Sequence, residues 1–249
     1  MKCKTLLIHF LVLWPILFAC APKVPIPVLE YGKMDASENR NLLILLRGRG
    51  GSHRDFEKHG IIDEVRKRNL PFDIVAPAAD FSYYRTETLP ERLKQDIIDP
   101  ARAIGYRHIW LAGFSMGGLG SLFTIRSYPD AVDGVILISP FLGWSSILEE
   151  IRTTGGVSNW FLPVDKSHKW QYTIWGWIKE YQEAKDQYPE IYLGYGNDDS
   201  MTGEGPSLLS QALGPGRHFS VPGNHNYKTF QEIWRRHLDR LEEKFIALR

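Results

Sequence analysis

Residues 108–118 read His-Ile-Trp-Leu-Ala-Gly-Phe-Ser-Met-Gly-Gly, an apolar run that leads directly into a G-x-S-x-G pentapeptide. The first five residues have the length and content of a buried strand, and residues 117–128 carry apolar side chains at helical spacing. A serine on a tight turn between a strand and a helix needs small neighbours two positions away, which Gly113 and Gly117 supply. The pattern predicts that the Ser115 hydroxyl stands clear of a sheet as a nucleophile. A structural turn serine is the alternative.

The rest of the chain alternates between apolar runs and amphipathic segments. Helical periodicity is found at residues 55–68, 89–104 and 227–248. Apolar runs of strand length occur at residues 41–46, 72–76, 133–138, 191–195 and 218–221. Strands that are apolar throughout and alternate with helices are typical of a mostly parallel sheet covered on both faces. We therefore expect an α/β fold with a sheet of about six or more strands.

An aromatic-rich stretch, residues 140–189, interrupts this alternation. It holds five of the eight tryptophans, and its glycine pair and Pro163 favour irregular structure. We interpret the stretch as a short cap inserted into the domain. Its aromatic side chains, Trp144 among them, are expected to pack in the core first and to line an acyl pocket second.

Candidate acid and base residues follow the last two predicted strands. Asp198 and Asp199 come directly behind the penultimate strand, and His225 comes behind the last one. Open α/β sheets place their sites at the carboxyl ends of strands, so these side chains are expected near Ser115. A serine nucleophile needs a base that an acid holds in the correct tautomer, and the order Ser…Asp…His accompanies such a turn. A surface or helix-capping histidine is the alternative for His225.

At this point the chain resembles the α/β-hydrolase family, over roughly residues 40–249. The segment 113–123 and the tripeptide Ser139-Pro140-Phe141 are most similar to the esterase-D branch and to small bacterial carboxylesterases. The resemblance implies the α/β-hydrolase fold. It also implies Ser115 as the nucleophile, His225 as the base and Asp199 as the acid, with Asp198 as the alternative acid.

The first predicted strand ends in Leu46-Arg47-Gly48-Arg49-Gly50-Gly51, which resembles the His-Gly-rich turn of the same family. Backbone N–H groups of that turn stabilise the tetrahedral intermediate, and the resemblance implies the N–H groups of Arg49 and Met116 as the oxyanion hole. Arg47 stands where the family usually has histidine. A structural salt bridge is the favoured interpretation of Arg47, and contact with an anionic substrate group is the alternative.

Residues 80–85 follow the second predicted strand at the same edge of the sheet. Their aromatic side chains, Tyr83 among them, are candidates to line a substrate pocket, and Asp80 is a candidate to select a cationic or hydroxylated substrate. Loop packing with an exposed aspartate is the alternative. The candidate substrate-binding residues are thus Arg47, Asp80, Tyr83 and Trp144.

Charge and motif content exclude several other functions. Lys plus Arg number 30 against 29 Asp plus Glu, so nothing indicates a nucleic-acid partner. The sequence contains no metal-ligand spacing and no phosphate-binding G-x-x-x-x-G-K motif, and we expect no metal and no other cofactor. The two cysteines, Cys3 and Cys20, both precede the domain, so no disulfide is expected within it.

The first twenty residues differ from the rest. Two lysines precede an apolar stretch, residues 5–19, which suits a secretory signal. It ends Leu-Phe-Ala-Cys at residues 17–20, which resembles a bacterial lipobox and implies lipid attachment at Cys20. Pro22, where inner-membrane lipoproteins commonly carry aspartate, favours the outer membrane or cell surface. An ordinary signal peptide and an uncleaved anchor are the alternatives.

The sequence therefore predicts a signal peptide over residues 1–20, a tether over 21–36 and an α/β-hydrolase domain over 37–249, with the cap at about 140–189. The expected protein is an exported, membrane-anchored serine hydrolase that cleaves small or acyl-chain carboxylic esters through an acyl-enzyme. An acyltransferase on the same scaffold and a non-catalytic surface-binding lipoprotein are the alternatives. The sequence names neither the ester nor the oligomeric state.

Overall fold

The computed structural model describes residues 21–32 and 41–246. Their strands are β1 (Val28–Tyr31), β2 (Asn41–Leu46), β3 (Phe72–Pro77), β4 (His108–Phe114), β5 (Gly134–Ile138), β6 (Glu190–Gly196) and β7 (His218–Val221). The strands form one sheet in the order β1-β3-β2-β4-β5-β6-β7, in which β1 is antiparallel and the other neighbours are parallel. The expected α/β fold is confirmed.

Helices connect the strands: α1 (Asp55–Lys58), α2 (Ile61–Lys67), α3 (Phe81–Arg85), α4 (Leu89–Leu93), α5 (Asp99–Ala103), α6 (Met116–Ser127), α7 (Ser145–Thr153), α8 (Trp170–Glu183), α9 (Gly205–Ala212) and α10 (Tyr227–Ile246). A π-helical turn, Lys94–Ile98, joins α4 to α5. None of the helices in the described ranges is both long enough and apolar enough to cross a bilayer.

The sheet has a separate core on each face. Side chains of a strand point alternately to opposite faces. In β2, Leu42, Ile44 and Leu46 join the cluster under α4–α9, whereas Leu43 and Leu45 join the cluster under α1, α2 and α10. Because both faces are covered, β2 is buried along its whole length. This double burial explains why the strands read as continuous apolar runs.

The N-terminal part of the described chain differs from the predicted tether. Residues 28–31 form the edge strand β1, which pairs with β3 in the register Val28↔Pro77. Just before it, Ile26 is buried and its N–H donates to Asp96 Oδ2 at 2.8 Å. The open edge of β3 offers backbone partners to this segment, and prolines are tolerated beside an edge strand. Such pairing leaves little trace in a four-residue stretch, which is why the pattern alone suggested a tether.

The predicted cap lies between β5 and β6 and contains α7 and α8, joined by short 3-10 turns. Glu150 holds it together, because its carboxylate accepts hydrogen bonds from Trp160 Nε1 at 3.0 Å and Tyr172 Oη at 2.9 Å and pairs with Lys166. Five of its ten aromatic residues are buried in the core, whereas Trp144 is half exposed and Phe161 is mostly exposed. The predicted signal peptide, the lipid attachment at Cys20 and the predicted domain start at residue 37 lie outside the described residues.

Candidate active site

Ser115 occupies a strained turn between β4 and α6. Its backbone has φ 53° and ψ −117°, a conformation that residues other than glycine rarely adopt. A Cβ at Gly113 would lie 2.4 Å from the Gly117 carbonyl oxygen, and a Cβ at Gly117 would lie 2.1 Å from the Leu46 carbonyl oxygen. Neither distance is compatible with a side chain. The G-x-S-x-G spacing is therefore a packing requirement of this turn.

Three polar side chains from three loops meet at this turn. His225 Nε2 lies 2.9 Å from Ser115 Oγ, and His225 Nδ1 lies 2.7 Å from Asp199 Oδ2. Ser115 follows β4, Asp199 follows β6 and His225 follows β7, so all three stand at the carboxyl edge of the sheet. The structure thus brings together the serine, the histidine and one of the two aspartates that the sequence singled out.

Asp199 is the aspartate that contacts the histidine. It is 5% exposed, and its Oδ1 accepts hydrogen bonds from the N–H groups of Met201 and Thr202 at 3.1 and 3.2 Å. Burial raises the pKa of Asp199, but the hydrogen bond from His225, the electrostatic interaction with that side chain and the Thr202 N–H lower the pKa by more than burial raises it. The net result is a pKa below the ordinary value, so this carboxyl is ionised at neutral pH.

The rival aspartate, Asp198, has a different partner. Its Oδ2 accepts a hydrogen bond from the Gly223 N–H at 3.1 Å, and its own N–H donates to the Gly223 carbonyl oxygen at 3.1 Å. Asp198 therefore ties the loop after β6 to the loop after β7, which carries His225. Two adjacent residues of a turn face different ways, and this is the reason that spacing left the choice between them open.

Met116 and Arg49 flank Ser115 from two directions. Met116 is the first residue of α6, where N–H groups have no intrahelical acceptor. The glycine-rich loop after β2 approaches so closely that a Cβ at Gly48 would lie 3.2 Å from Ser115 Cβ. Arg49 follows in that loop and lines the same cavity as Ser115.

The predicted salt bridge of Arg47 is not found among the described residues. Its guanidinium donates hydrogen bonds to the carbonyl oxygens of Gly48, at 3.3 Å, and Gly51. Among the described residues it forms no ion pair, and it does not line the cavity. A glycine-rich turn leaves its carbonyl groups without partners, and a long planar donor within the same loop satisfies them. Arg47 thus braces the loop from inside.

A cavity of about 500 Å³ opens beside Ser115. Its inner wall is mostly apolar and aromatic, whereas four charged residues lie among its lining: Arg49, Arg85, Glu87 and Arg126. The apolar and aromatic lining residues come from α3, α4, α6, the cap and the loop after β6: Phe81, Tyr83, Tyr84, Leu89, Pro90, Met116, Leu119, Phe123, Phe141, Trp144, Trp170 and Met201. A cavity of this size and character is typical of a site for a small molecule.

Two of the four candidate substrate-binding residues line this cavity, and two do not. Tyr83 and Trp144 belong to its wall. Asp80 instead caps α3, because its Oδ1 accepts hydrogen bonds from the N–H of Ser82 at 2.8 Å and from its hydroxyl. An aspartate before a helix is stabilised by the unpaired N–H groups of the first turn. Asp80 and Arg47 therefore take partners within their own segments and do not belong to the cavity lining.

Two residues that support the site were missed at the sequence level. Tyr84 Oη donates to the Met116 carbonyl oxygen at 3.1 Å, and desolvation raises the pKa of Tyr84, which keeps the hydroxyl protonated. Ser139, fully buried with φ 41°, accepts a hydrogen bond from the Gly196 N–H at 3.4 Å, and its hydroxyl helps to lower the pKa of Asp199. Both depend on contacts between distant segments, which no local pattern reveals.

No group of three or more His, Cys, Asp and Glu side chains in the described part of the chain is arranged to hold a metal ion. The converging groups are instead an alcohol, an imidazole and a carboxylate. These are the groups that activate a hydroxyl for attack on an acyl carbon.

Comparison with known proteins agrees with the fold. The chain is similar to S-formylglutathione hydrolase (FrmB) of Staphylococcus aureus, with 16% identity and a TM-score of 0.58 over 82% of each chain. It is also similar to Est1E of Butyrivibrio proteoclasticus, with 20% identity and a TM-score of 0.56 over 89% of this chain and 96% of that one. A monoacylglycerol lipase of Paleococcus ferrophilus gives 16% identity and a TM-score of 0.56 over 88% and 98%.

Among curated proteins, none matches the chain significantly. Residues 41–174, more than half of the chain, match the sequence profile of the alpha/beta hydrolase fold. That segment runs from β2 through the turn at Ser115 and into the cap. This chain therefore belongs to the alpha/beta hydrolase fold family.

Proposed function

We propose that this protein is a serine hydrolase that cleaves carboxylic esters through an acyl-enzyme, with Ser115 as nucleophile, His225 as base and Asp199 as the acid. The proposal rests on one observation, the hydrogen-bonded chain Asp199–His225–Ser115 with contacts of 2.7 and 2.9 Å. A serine hydroxyl is a weak nucleophile unless a base accepts its proton. Here the base is within hydrogen-bonding distance, and a buried carboxylate holds its other nitrogen.

In the first half-reaction, Ser115 Oγ attacks the ester carbonyl carbon while His225 Nε2 takes the hydroxyl proton. The carbonyl oxygen gains negative charge, which the N–H groups of Met116 and Arg49 stabilise. The N-terminus of α6 adds a favourable dipole at this point. The tetrahedral intermediate then expels the alcohol, to which the imidazolium returns the proton. Ser115 is left as an acyl ester.

In the second half-reaction, a water molecule attacks the acyl carbon and His225 takes one of its protons. Collapse of this intermediate breaks the bond to Ser115 Oγ, which regains a proton from the imidazolium. The carboxylic acid is released. Asp199 stays ionised throughout, because its role is to fix the Nδ1–H tautomer and to balance the imidazolium charge.

The cavity supports an ester with an apolar or aromatic portion. Its volume of about 500 Å³ accommodates more than an acetyl group, and aromatic side chains from α3 and the cap cover its wall. Similar structures carry the names of hydrolases and of a lipase, which agrees with cleavage of an acyl bond.

We also propose that the protein is exported and carries a lipid at Cys20. The apolar segment of residues 5–19 and the lipobox-like residues 17–20 support this proposal. Incorporation of labelled fatty acid at Cys20 tests it.

The test of the mechanism compares the parent chain with Ser115→Ala. We expect turnover of p-nitrophenyl butyrate and covalent labelling by a fluorophosphonate probe in the parent and neither in the variant. Thermal unfolding serves as the control, because removal of one hydroxyl leaves the fold intact. Unchanged turnover in a folded Ser115→Ala variant contradicts the proposal.

A further inference from the structure

Most of the exposed apolar side chains lie at the carboxyl edge of the sheet or in the cap. Eight large apolar residues are exposed in the described ranges, and one of them, Ile104, precedes β4 and so lies at the amino edge of the sheet. The others lie in segments at the carboxyl edge or in the cap: Val24, Phe81, Trp144, Phe161, Leu162, Val164 and Met201. We call these seven residues the apolar rim.

The apolar rim is more than a scatter of surface residues. Phe81, Trp144 and Met201 line the cavity, and the segment 161–164 immediately precedes His168 and Trp170, which also line it. Phe161 is 77% exposed and Val164 is 90% exposed, so neither contributes to the core. Single exposed apolar residues are common, whereas a set of seven in neighbouring segments, three of which line a cavity, marks an interaction surface.

Basic side chains accompany the apolar rim. Lys23 directly precedes Val24, Lys169 follows Val164 in the cap, and both are exposed, whereas Arg49 lies in the cavity lining over the Phe81 ring. Within the described residues, none of these three forms a salt bridge. Lys179 Nζ lies 3.9 Å from the centre of the Phe161 ring. Exposed apolar side chains with lysine and arginine around them fit the surface of an anionic bilayer, where the rings and aliphatic groups insert and the cations meet headgroups.

The direction of β1 brings the N-terminal segment to the same edge. Because β1 is antiparallel to β3, the residues before Val28 lie at the carboxyl edge. Tyr83, which lines the cavity, donates a hydrogen bond to the Lys23 carbonyl oxygen at 2.7 Å. Two residues lie between Cys20 and Lys23, a span of at most about 11 Å. The apolar stretch 5–19 directly precedes that cysteine.

We propose that the face of the molecule that carries the apolar rim lies against an anionic lipid bilayer, with the cavity mouth turned towards the membrane. The N-terminal segment, which leaves the domain at the carboxyl edge of the sheet, then attaches the protein to the same bilayer. If the proposed ester hydrolysis is accepted, on which this part depends, the substrate is a membrane-resident ester that enters the cavity from the lipid. The amino edge, with Ile104, faces water.

The first test measures orientation and needs no catalysis. Full-length Phe161→Cys and Ile104→Cys variants are labelled with bimane and reconstituted in vesicles of phosphatidylethanolamine, phosphatidylglycerol and doxyl-labelled phosphatidylcholine. The parent chain, labelled in the same way, gives the background from Cys3 and Cys20. We expect doxyl lipids to quench the label at residue 161 at least about twofold more than the label at residue 104, because quenching requires contact with lipid. Equal or weaker quenching at residue 161 in vesicle-bound protein overturns the proposal and assigns the rim to a protein partner or to another part of this chain.

The second test compares Phe161→Ser/Val164→Ser with Ile104→Ser, a matched exposed residue on the opposite edge. Loss of two inserting side chains is expected to reduce hydrolysis of a vesicle-embedded ester about tenfold. Hydrolysis of water-soluble p-nitrophenyl butyrate stays unchanged, because neither residue lines the cavity. Unchanged hydrolysis of the embedded ester contradicts docking. A parent chain that cleaves neither ester refutes the proposed function, and the quenching result still decides the orientation.

Discussion

Asp199→Asn is the substitution whose consequence the structure defines most closely. Asp199 Oδ1 accepts hydrogen bonds from the N–H groups of Met201 and Thr202, so an asparagine must place its carbonyl oxygen there. Its NH₂ group then occupies the position of Oδ2, 2.7 Å from His225 Nδ1. An NH₂ group can only donate to that nitrogen, which forces the proton of the neutral imidazole onto Nε2.

The resulting tautomer faces Ser115 with an N–H instead of a lone pair. His225 can no longer accept the serine proton, although the geometry of the site is preserved. Loss of the correct tautomer in a triad of this kind lowers kcat about 10⁴-fold, which corresponds to about 5 kcal/mol of transition-state stabilisation. Asp198→Asn is the matched control, because Asp198 hydrogen-bonds to the Gly223 backbone and an asparagine oxygen can replace it there.

The assay is the pre-steady-state acylation rate with p-nitrophenyl butyrate at neutral pH, with thermal unfolding of each variant as a check of folding. We expect Asp199→Asn to lose about four orders of magnitude and Asp198→Asn to stay within about threefold of the parent. A folded Asp199→Asn variant with a loss below tenfold, or equal losses in the two variants, would refute the assignment of Asp199 as the acid.

Two further predictions concern the turn at Ser115 and the loss of folding stability at acidic pH. Gly117→Ala places a Cβ 2.1 Å from the Leu46 carbonyl oxygen. We therefore expect a loss of esterase activity of at least about 100-fold, and a free energy of unfolding in urea that is lower by about 1–3 kcal/mol. The control is Gly214→Ala, which has open space around it and is expected to change neither quantity. Burial lowers the pKa of His237 from 6.5 to about 3, so its unfolded form gains a proton as the pH falls below 6.5 while the folded form does not. When the pH is lowered from 7 to 5, the free energy of unfolding of the parent should therefore fall by about 2 kcal/mol more than that of His237→Gln. Urea titrations at the two pH values measure both changes. An equal fall in the two proteins would show that His237 is not buried as a neutral group.

Much of the site was predictable because it is built from local patterns at strand ends. The turn at Ser115 and the aspartate and histidine behind β6 and β7 each follow an apolar run, and parallel strands bring their carboxyl ends to one edge. The apolar runs therefore placed Ser115, the pair Asp198 and Asp199, and His225 at the same edge of the sheet, and the resemblance to the α/β-hydrolase family supplied their roles. It did not separate Asp198 from Asp199, since the direction of a side chain in a turn depends on what the neighbouring loop offers.

The sequence by itself determined the parallel core and the tight turn, because burial on two faces and steric exclusion of a Cβ leave direct marks on residue type. Only the tertiary structure decided which partners the polar side chains take. Arg47 braces a loop, Asp80 caps a helix and residues 28–31 add an edge strand, each through contacts whose partners a linear pattern does not specify. The same holds for Phe81, Trp144 and Met201 of the apolar rim, which are far apart in the chain and line one cavity with Ser115 only because the fold brings their segments together.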